Sequence, residues 1–388
     1  MQICFDNRNT GRSGGTGVAT YATALADASK EAGFEVTWLS DGEKSHRAPR
    51  RLNERLKRQC RAFSASRKVK RTSAEHYECY DLYRTAHVRF QQTGRLSTLS
   101  ASQCPDIMHW TYPLPITWPG TRNILTIHDL IPLINPNLTN ISGTRMRHLL
   151  EACCQKAQAI VTVSEAVRRD ILEQLPISED KVFNFYQTVD FSSALLKEAE
   201  CAPDITEPGG FLYFGSIEKR KNIARLIEAH GRSGSSRPLT LIGAHGYRAT
   251  EELAAIASHP KGEELIRQIP WCPRASLIRA IIKARAVLFP SLAEGFGLPV
   301  LEAMTLGTSV MTSRSHALGE IAGDAAILVD PYSLPSMTQA IKTLDENDTV
   351  RSELIQKGLR HSSKFAKDIY AHKLAAFYRE QSLLQLPL

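Results

Sequence analysis

Glu294 and Glu302 stand with seven residues between them in "SLAEGFGLPVLEAM", which runs from 291 to 304. Carboxylates only accept hydrogen bonds when ionised, so this pair suits hydroxyl groups and not phosphates. The residues between them suit the opposite ligand. Gly295 and Gly297 let the backbone approach a bound group closely. Pro299 fits the first turn of a helix. The free N–H groups at such a helix start favour an anion, a diphosphate for example. One acid is therefore placed to hold ribose hydroxyls and the other a hexose. The plainer alternative is a turn followed by an ordinary acid near a helix start. The strand before the motif and the glycines inside it favour the nucleotide-sugar reading.

The elements that must position this loop follow from apolar runs and their punctuation. "AVLFPS" (286–291) reads as a buried strand, which puts "LAEGFGLP" at its carboxyl end and "PVLEAMTLG" in the next helix. "GGFLYFGS" (209–216), "LTLIG" (239–243), "ELIRQI" (264–269), "SVMTS" (309–313) and "AAILVD" (325–330) are further strands, each separated by a helix-length segment. The first half shows the same alternation. Its strands are "QICFD" (2–6), "EVTWLS" (35–40), "DIMHW" (106–110), "NILTIHD" (123–129), "AIVTVS" (159–164) and "KVFNFY" (181–186), with helices near 18–32, 144–158 and 165–175. Strands alternating with helices predict an α/β fold of two doubly wound, mostly parallel sheets facing each other across a cleft. Ligands of such sheets bind at the carboxyl ends of the strands. The expected domains are 1–195 and 209–365, joined by a polar linker around 191–208. A terminal helix, 366–388, is expected to pack back on the first domain.

Composition agrees with that frame. A chain of 388 residues fits two domains. At 43% hydrophobic and 23% charged residues it has enough apolar content for sizeable cores. It has no apolar run long enough to span a bilayer, and its start does not read as a signal peptide. The eight cysteines are scattered without a CxxC pair, so they read as reduced, mostly buried thiols of a cytoplasmic protein. The net charge of +8 is concentrated between 44 and 71, where twelve Lys or Arg residues accompany a single acid, Glu54. Leu52, Leu56, Cys60 and Phe63 recur there at helical spacing. That pattern suits an amphipathic helix on an anionic membrane surface or against an acidic acceptor. A solvated insertion is the bland alternative. Nucleic acid is disfavoured, because aromatic content is 7% and no nucleic-acid-binding motif is present.

Several stretches, in order, resemble glycosyltransferase family 4, the retaining transferases of GT-B fold. "PSLAEGFGLPVLEAMTLGTSVMTS" is similar to that family's donor-binding signature. "FGSIEKRKNIARLIEAH" (214–230), "SEAVRRDIL" (164–172), "TIHDLIPL" (126–133) and "TGVATYATAL" (16–25) look like other family segments. The resemblance implies a role for each matching residue. Lys221, with Arg220 beside it, would meet the diphosphate and stabilise charge on the leaving group. Glu302 would hold the ribose, and Glu294 would face the transferred sugar. The backbone of Gly295, Phe296, Gly297 and Leu298 would contact sugar and phosphate. Gly15 and Gly17 would bring a helix start near the same diphosphate, and His128 would lie near the reacting sugar and acceptor. Ser216, "YQTVD" (186–190) and Pro270 depart from the family pattern, which leaves base and sugar open.

The resemblance further implies transfer of a hexose from a nucleoside diphosphate sugar to a hydroxyl, with no metal and no further cofactor. GDP-mannose is the first choice of donor, from the similarity of "IEKRKN" to mannosyl transferases, ahead of UDP- and dTDP-sugars. The expected acceptor is a lipid-linked or lipopolysaccharide glycan at the inner face of the cytoplasmic membrane, reached through the basic segment 44–72. Two other readings are a nucleotide-sugar epimerase and a dinucleotide-dependent oxidoreductase. The second would need a regular GxGxxG, and "GRSGGTG" is irregular.

Overall fold

Phe211–Phe214, Leu239–Ile242 and Ala286–Phe289 are buried along their whole length. A strand with no polar face belongs in a parallel sheet covered by helices on both sides. The computed structural model describes residues 1–10, 17–42, 59 and 61–384. It divides the chain into two units of this α/β kind. The first comprises Met1–Leu133, Ser142–Thr188 and Lys367–Leu388, and the second Ile134–Ile141 and Val189–Ala366.

In the second unit six parallel strands lie in the order Ile266–Ile269, Leu239–Ile242, Phe211–Phe214, Ala286–Phe289, Val310–Ser313 and Ile327–Val329. Counted along the chain this is the doubly wound order 3-2-1-4-5-6. The connections leave the sheet in opposite directions from Phe211–Phe214 and Ala286–Phe289. The carboxyl ends of those two strands therefore frame an open crevice in the sheet edge, the switch point.

The first unit repeats the plan with eight strands. Their order is Val182–Asn184, Ala159–Thr162, Arg122–Ile127, Ile107–Trp110, Gln2–Asp6, Glu35–Asp41, His76–Cys79 and Lys70–Arg71, and only the last pair is antiparallel. Its switch point lies between Gln2–Asp6 and Ile107–Trp110. The helix Lys367–Leu383 belongs to this unit. Lys367 pairs with Glu31 of the helix Gly17–Glu31, and Phe377 packs on Phe183 and Phe185 at centroid distances of 5.1 and 4.8 Å.

The structure differs from the sequence reading in three places. The stretch around 191–208 is not a bare linker. It contains the helix Ser193–Cys201, whose Ala199 packs with Ala275 and Ile278 of the helix Arg274–Lys283, and the second unit begins at Val189. The basic stretch is not a uniform insertion. Ser66–Lys68 pairs with Ser97–Ser100 in a small parallel sheet, and Lys70–Arg71 edges the main one. Its Leu52, Leu56 and Cys60 lie outside the described residues, while Phe63 is 70% exposed. The strands between 66 and 117 are only two to four residues long, apart from Ile107–Trp110 and His76–Cys79 mostly half polar, and so carry little periodic signal.

Candidate active site

The switch point of the second unit gathers charge. After Phe211–Phe214 the chain makes a short 3-10 turn, Lys219–Lys221, and Asn222 follows at φ 63. Asparagine tolerates that left-handed conformation. Its Nδ2 donates to the carbonyls of Pro290 and Pro331 at 3.1 and 2.8 Å, which ties the turn to two other loops. The N–H of Leu292 donates to the Arg220 carbonyl at 2.7 Å. These backbone ties bring Arg220 and Lys221 onto the loop that follows Ala286–Phe289.

Glu294 is the acid they meet. Lys221 Nζ donates to its Oε1, and Arg220 donates to its Oε2 at 2.7 Å. A second Arg220 nitrogen reaches Glu218 Oε1 at 2.8 Å, where the Ser216 hydroxyl also donates at 2.8 Å. Lys221 further sits over the Phe289 ring, 4.7 Å from its centroid. Glu294 and Lys221 are both buried, at 9% and 6% exposure. Burial alone would raise the Glu294 carboxyl, but the charges of Arg220 and then Lys221 overcome it and hold it down at about 2. Burial pulls the Lys221 ammonium below its usual value, Arg220 adds to that, and Glu294 opposes both. Glu294 is thus a carboxylate near neutral pH, packed with two basic side chains at the carboxyl edge of the sheet.

Gly297 closes this loop. Its φ of 105 is a conformation that side chains rarely adopt, and a Cβ there would lie 2.5 Å from Leu318 Cδ2. The helix Leu298–Thr305 starts directly after it, with Pro299 in the first turn. Glu302 lies one turn inside and is 6% exposed. It does not join the Glu294 cluster. Its Oε1 accepts from Arg274 at 2.5 Å, and Arg274 rests on the Phe191 ring, 5.4 Å from the centroid.

The remaining candidates belong to the first unit. His128 follows the strand Arg122–Ile127, and its Nε2 donates to the Thr111 carbonyl at 2.8 Å. Burial lowers its pKa, against the Thr111 contact and Asp129. Gly17 is the first residue of the helix Gly17–Glu31, while Gly15 lies outside the described residues. The structure therefore joins Arg220, Lys221 and Glu294 in one cluster, sets Glu302 on a separate ion pair, and carries His128 and Gly17 on the other unit.

Sequence reasoning missed Glu218, Asn222 and Arg274, and in the first unit Asp6 and Thr111. Glu218 and Asn222 flank "KRK" and were open to notice. Arg274 reaches Glu302 across 28 positions, which no local pattern reports. Among the described residues no group of three or more His, Cys, Asp or Glu side chains is arranged to hold a metal, and no helix is long and apolar enough to cross a membrane.

Two doubly wound units with charged loops at a switch point define the GT-B class, and known proteins agree. The chain belongs to the family 4 glycosyltransferases: residues 15–192 match the Glycosyltransferase Family 4 model, and residues 203–380 match that of the glycosyl transferases group 1. It is 28% identical over 255 residues to the O-antigen chain mannosyltransferase B of Escherichia coli, covering 63% of this chain and 67% of that one. It is 25% identical over 325 residues to the serotype-specific mannosyltransferase WbdA of Escherichia coli, covering 74% of this chain but only 39% of the relative. Among solved structures, a sucrose-phosphate synthase from Thermosynechococcus elongatus superposes with a TM-score of 0.69 at 16% identity, covering 98% of each chain. Anabaena HepE, solved with UDP and glucose, gives 0.68 at 14% identity over 98% of this chain and 100% of that one. At those identities the likeness is one of fold.

Proposed function

We propose that this glycosyltransferase moves a hexose from a nucleoside diphosphate sugar to a hydroxyl of a lipid-linked or surface glycan, with mannose from GDP-mannose as the first candidate. The observation that carries the reading is the grip of Arg220 and Lys221 on Glu294 at the switch point of the second unit. A buried and a half-buried cation held on one carboxylate are a ready site for a diphosphate. On binding, the diphosphate takes over the cations, and the freed Glu294 oxygens turn to sugar hydroxyls. Glu302, one turn into the helix, takes the ribose. The N–H groups of Gly295 to Leu298 add donors, and His128 serves the sugar and acceptor. The bond from the anomeric carbon to the diphosphate oxygen breaks, and a bond to the acceptor oxygen forms. The acceptor proton passes to the leaving diphosphate on the same face, which retains the anomeric configuration. Arg220 and Lys221 stabilise the departing charge in place of a metal.

The choice of mannose rests on the names of the relatives, which include the two mannosyltransferases above and the O-antigen chain mannosyltransferase RfbU of Salmonella typhimurium, 26% identical over 234 residues. The same names support a surface polysaccharide as product. The basic residues of 44–72 support contact with an anionic membrane surface, made from the cytoplasmic side. HepE, solved with UDP-glucose, keeps a UDP-sugar as the alternative donor.

Thermal-shift titration of GDP-mannose, UDP-glucose, UDP-galactose and dTDP-rhamnose, with and without chelator, tests the reading on wild type and Glu302→Ala. One donor should raise the melting temperature, the chelator should change nothing, and Glu302→Ala should abolish the shift. No shift with any of the four would overturn it.

A further inference from the structure

Asp6 ends the strand Gln2–Asp6, and Thr111 follows its neighbour Ile107–Trp110, so both stand at the switch point of the first unit. Asp6 is fully buried, and its Oδ2 accepts the Thr111 N–H at 2.6 Å. The carbonyl of the same residue receives His128 Nε2 at 2.8 Å. A carbonyl oxygen has no proton to give, so Nε2 carries the ring hydrogen. In the neutral imidazole Nδ1 is then an acceptor. The Tyr21 ring meets the His128 ring edge-on at 4.8 Å. Tyr21 is itself held, because its hydroxyl shares a 2.8 Å hydrogen bond with Thr126, which also meets His109 Nε2 at 2.8 Å. Thr111 is gripped from both sides, by an acid on its N–H and by the histidine on its C=O, and the ring is walled by an aromatic that cannot swing freely.

We propose that Asp6 is a positioning residue of the transfer reaction: by holding the Thr111 N–H it fixes the Thr111 carbonyl, which locks His128 as the Nε2–H tautomer and leaves Nδ1 to accept a hydrogen bond from a substrate hydroxyl. The proposal rests on the role given to His128 above. It explains why a carboxyl stands where burial pushes it up to about 6, against the Thr111 contacts that pull it down. An apolar side chain there would strand the buried Thr111 N–H, which is the costly outcome.

The test is 15N NMR of the full chain labelled at histidine, with the His128 signals assigned from His128→Gln. Near neutral pH, wild-type His128 must be the Nε2–H tautomer, and an Nδ1–H or doubly protonated ring overturns the proposal without any variant. Asp6→Asn keeps an oxygen for the Thr111 N–H and should keep the tautomer, with kcat within about threefold of wild type. Asp6→Leu removes that oxygen. It should mix the tautomers and lower kcat by roughly tenfold or more while the donor KM stays nearly constant. A folded Asp6→Leu protein with wild-type tautomer and kcat overturns the proposal. Full activity of His128→Gln would instead sink the role of His128 and leave the tautomer result standing.

Discussion

At the switch point of the second unit, the charges of Arg220 and Lys221 overcome burial and hold the Glu294 carboxyl down at about 2. At the switch point of the first unit, burial wins. Asp6 is pushed up to about 6, and the His128 pKa falls, so both move towards their neutral forms. The sheets are alike there: in each, the connections leave in opposite directions from two neighbouring parallel strands. The difference is in what each edge can receive. Fixed charge in a desolvated place suits an anion that brings its own charge, such as a diphosphate. A hydrogen-bonding group with no opposite charge fixed beside it, such as the His128 ring, suits a hydroxyl, which needs a partner and no counter-ion.

The largest blow to this contrast is Lys221→Ala. It removes a cation from the leaving group and leaves Glu294 with Arg220 alone, so kcat/KM should fall about 100- to 1,000-fold. Steady-state kinetics with the donor found by thermal shift would check it, and a change of less than about threefold would deny Lys221 its role. Gly297→Ala comes next. The strained φ and the approach to Leu318 should cost about 1–3 kcal/mol, read as an earlier urea midpoint. An unchanged midpoint would mean the loop relaxes freely.

The subtlest test uses pH, because the two acids shift in opposite directions. Glu294 lies at about 2 when folded against an ordinary 4.5, so its stabilisation is complete above 4.5 and is lost as pH falls towards 2. Asp6 lies at about 6 against an ordinary 3.8, so its stabilisation is complete below 3.8 and is lost as pH rises through 6. In urea midpoints measured against pH, Glu294→Gln should flatten the limb below 4.5, and Asp6→Asn the limb between 3.8 and 6. If neither variant changes its own limb, opposite shifts of the two acids are not what separates the switch points.

Much of the second site was legible because its geometry is local. A buried strand, two glycines, a proline and an acid one turn into a helix follow one another in "AVLFPSLAEGFGLPVLEAM". The "KRK" turn likewise announces an excess of positive charge at a helix start, where the macrodipole disfavours it. The partners were not legible. Lys221 meets Glu294 across 73 positions and Asp6 meets Thr111 across 105, and both meetings depend on which parallel strands lie side by side. The helical spacing of Leu52, Leu56, Cys60 and Phe63 falls mostly outside the described residues. Just past it the letters gave no sign that Ser66–Lys68 pairs with Ser97–Ser100, or that Lys70–Arg71 edges the main sheet beside His76–Cys79.

The measurement that tests the central claim most directly is a crystal structure with the nucleoside diphosphate of the preferred donor bound. The diphosphate should lie against Arg220 and Lys221, the ribose on Glu302, and Glu294 should be released from both cations. A diphosphate seated elsewhere, with the Arg220–Glu294–Lys221 cluster intact, would contradict it.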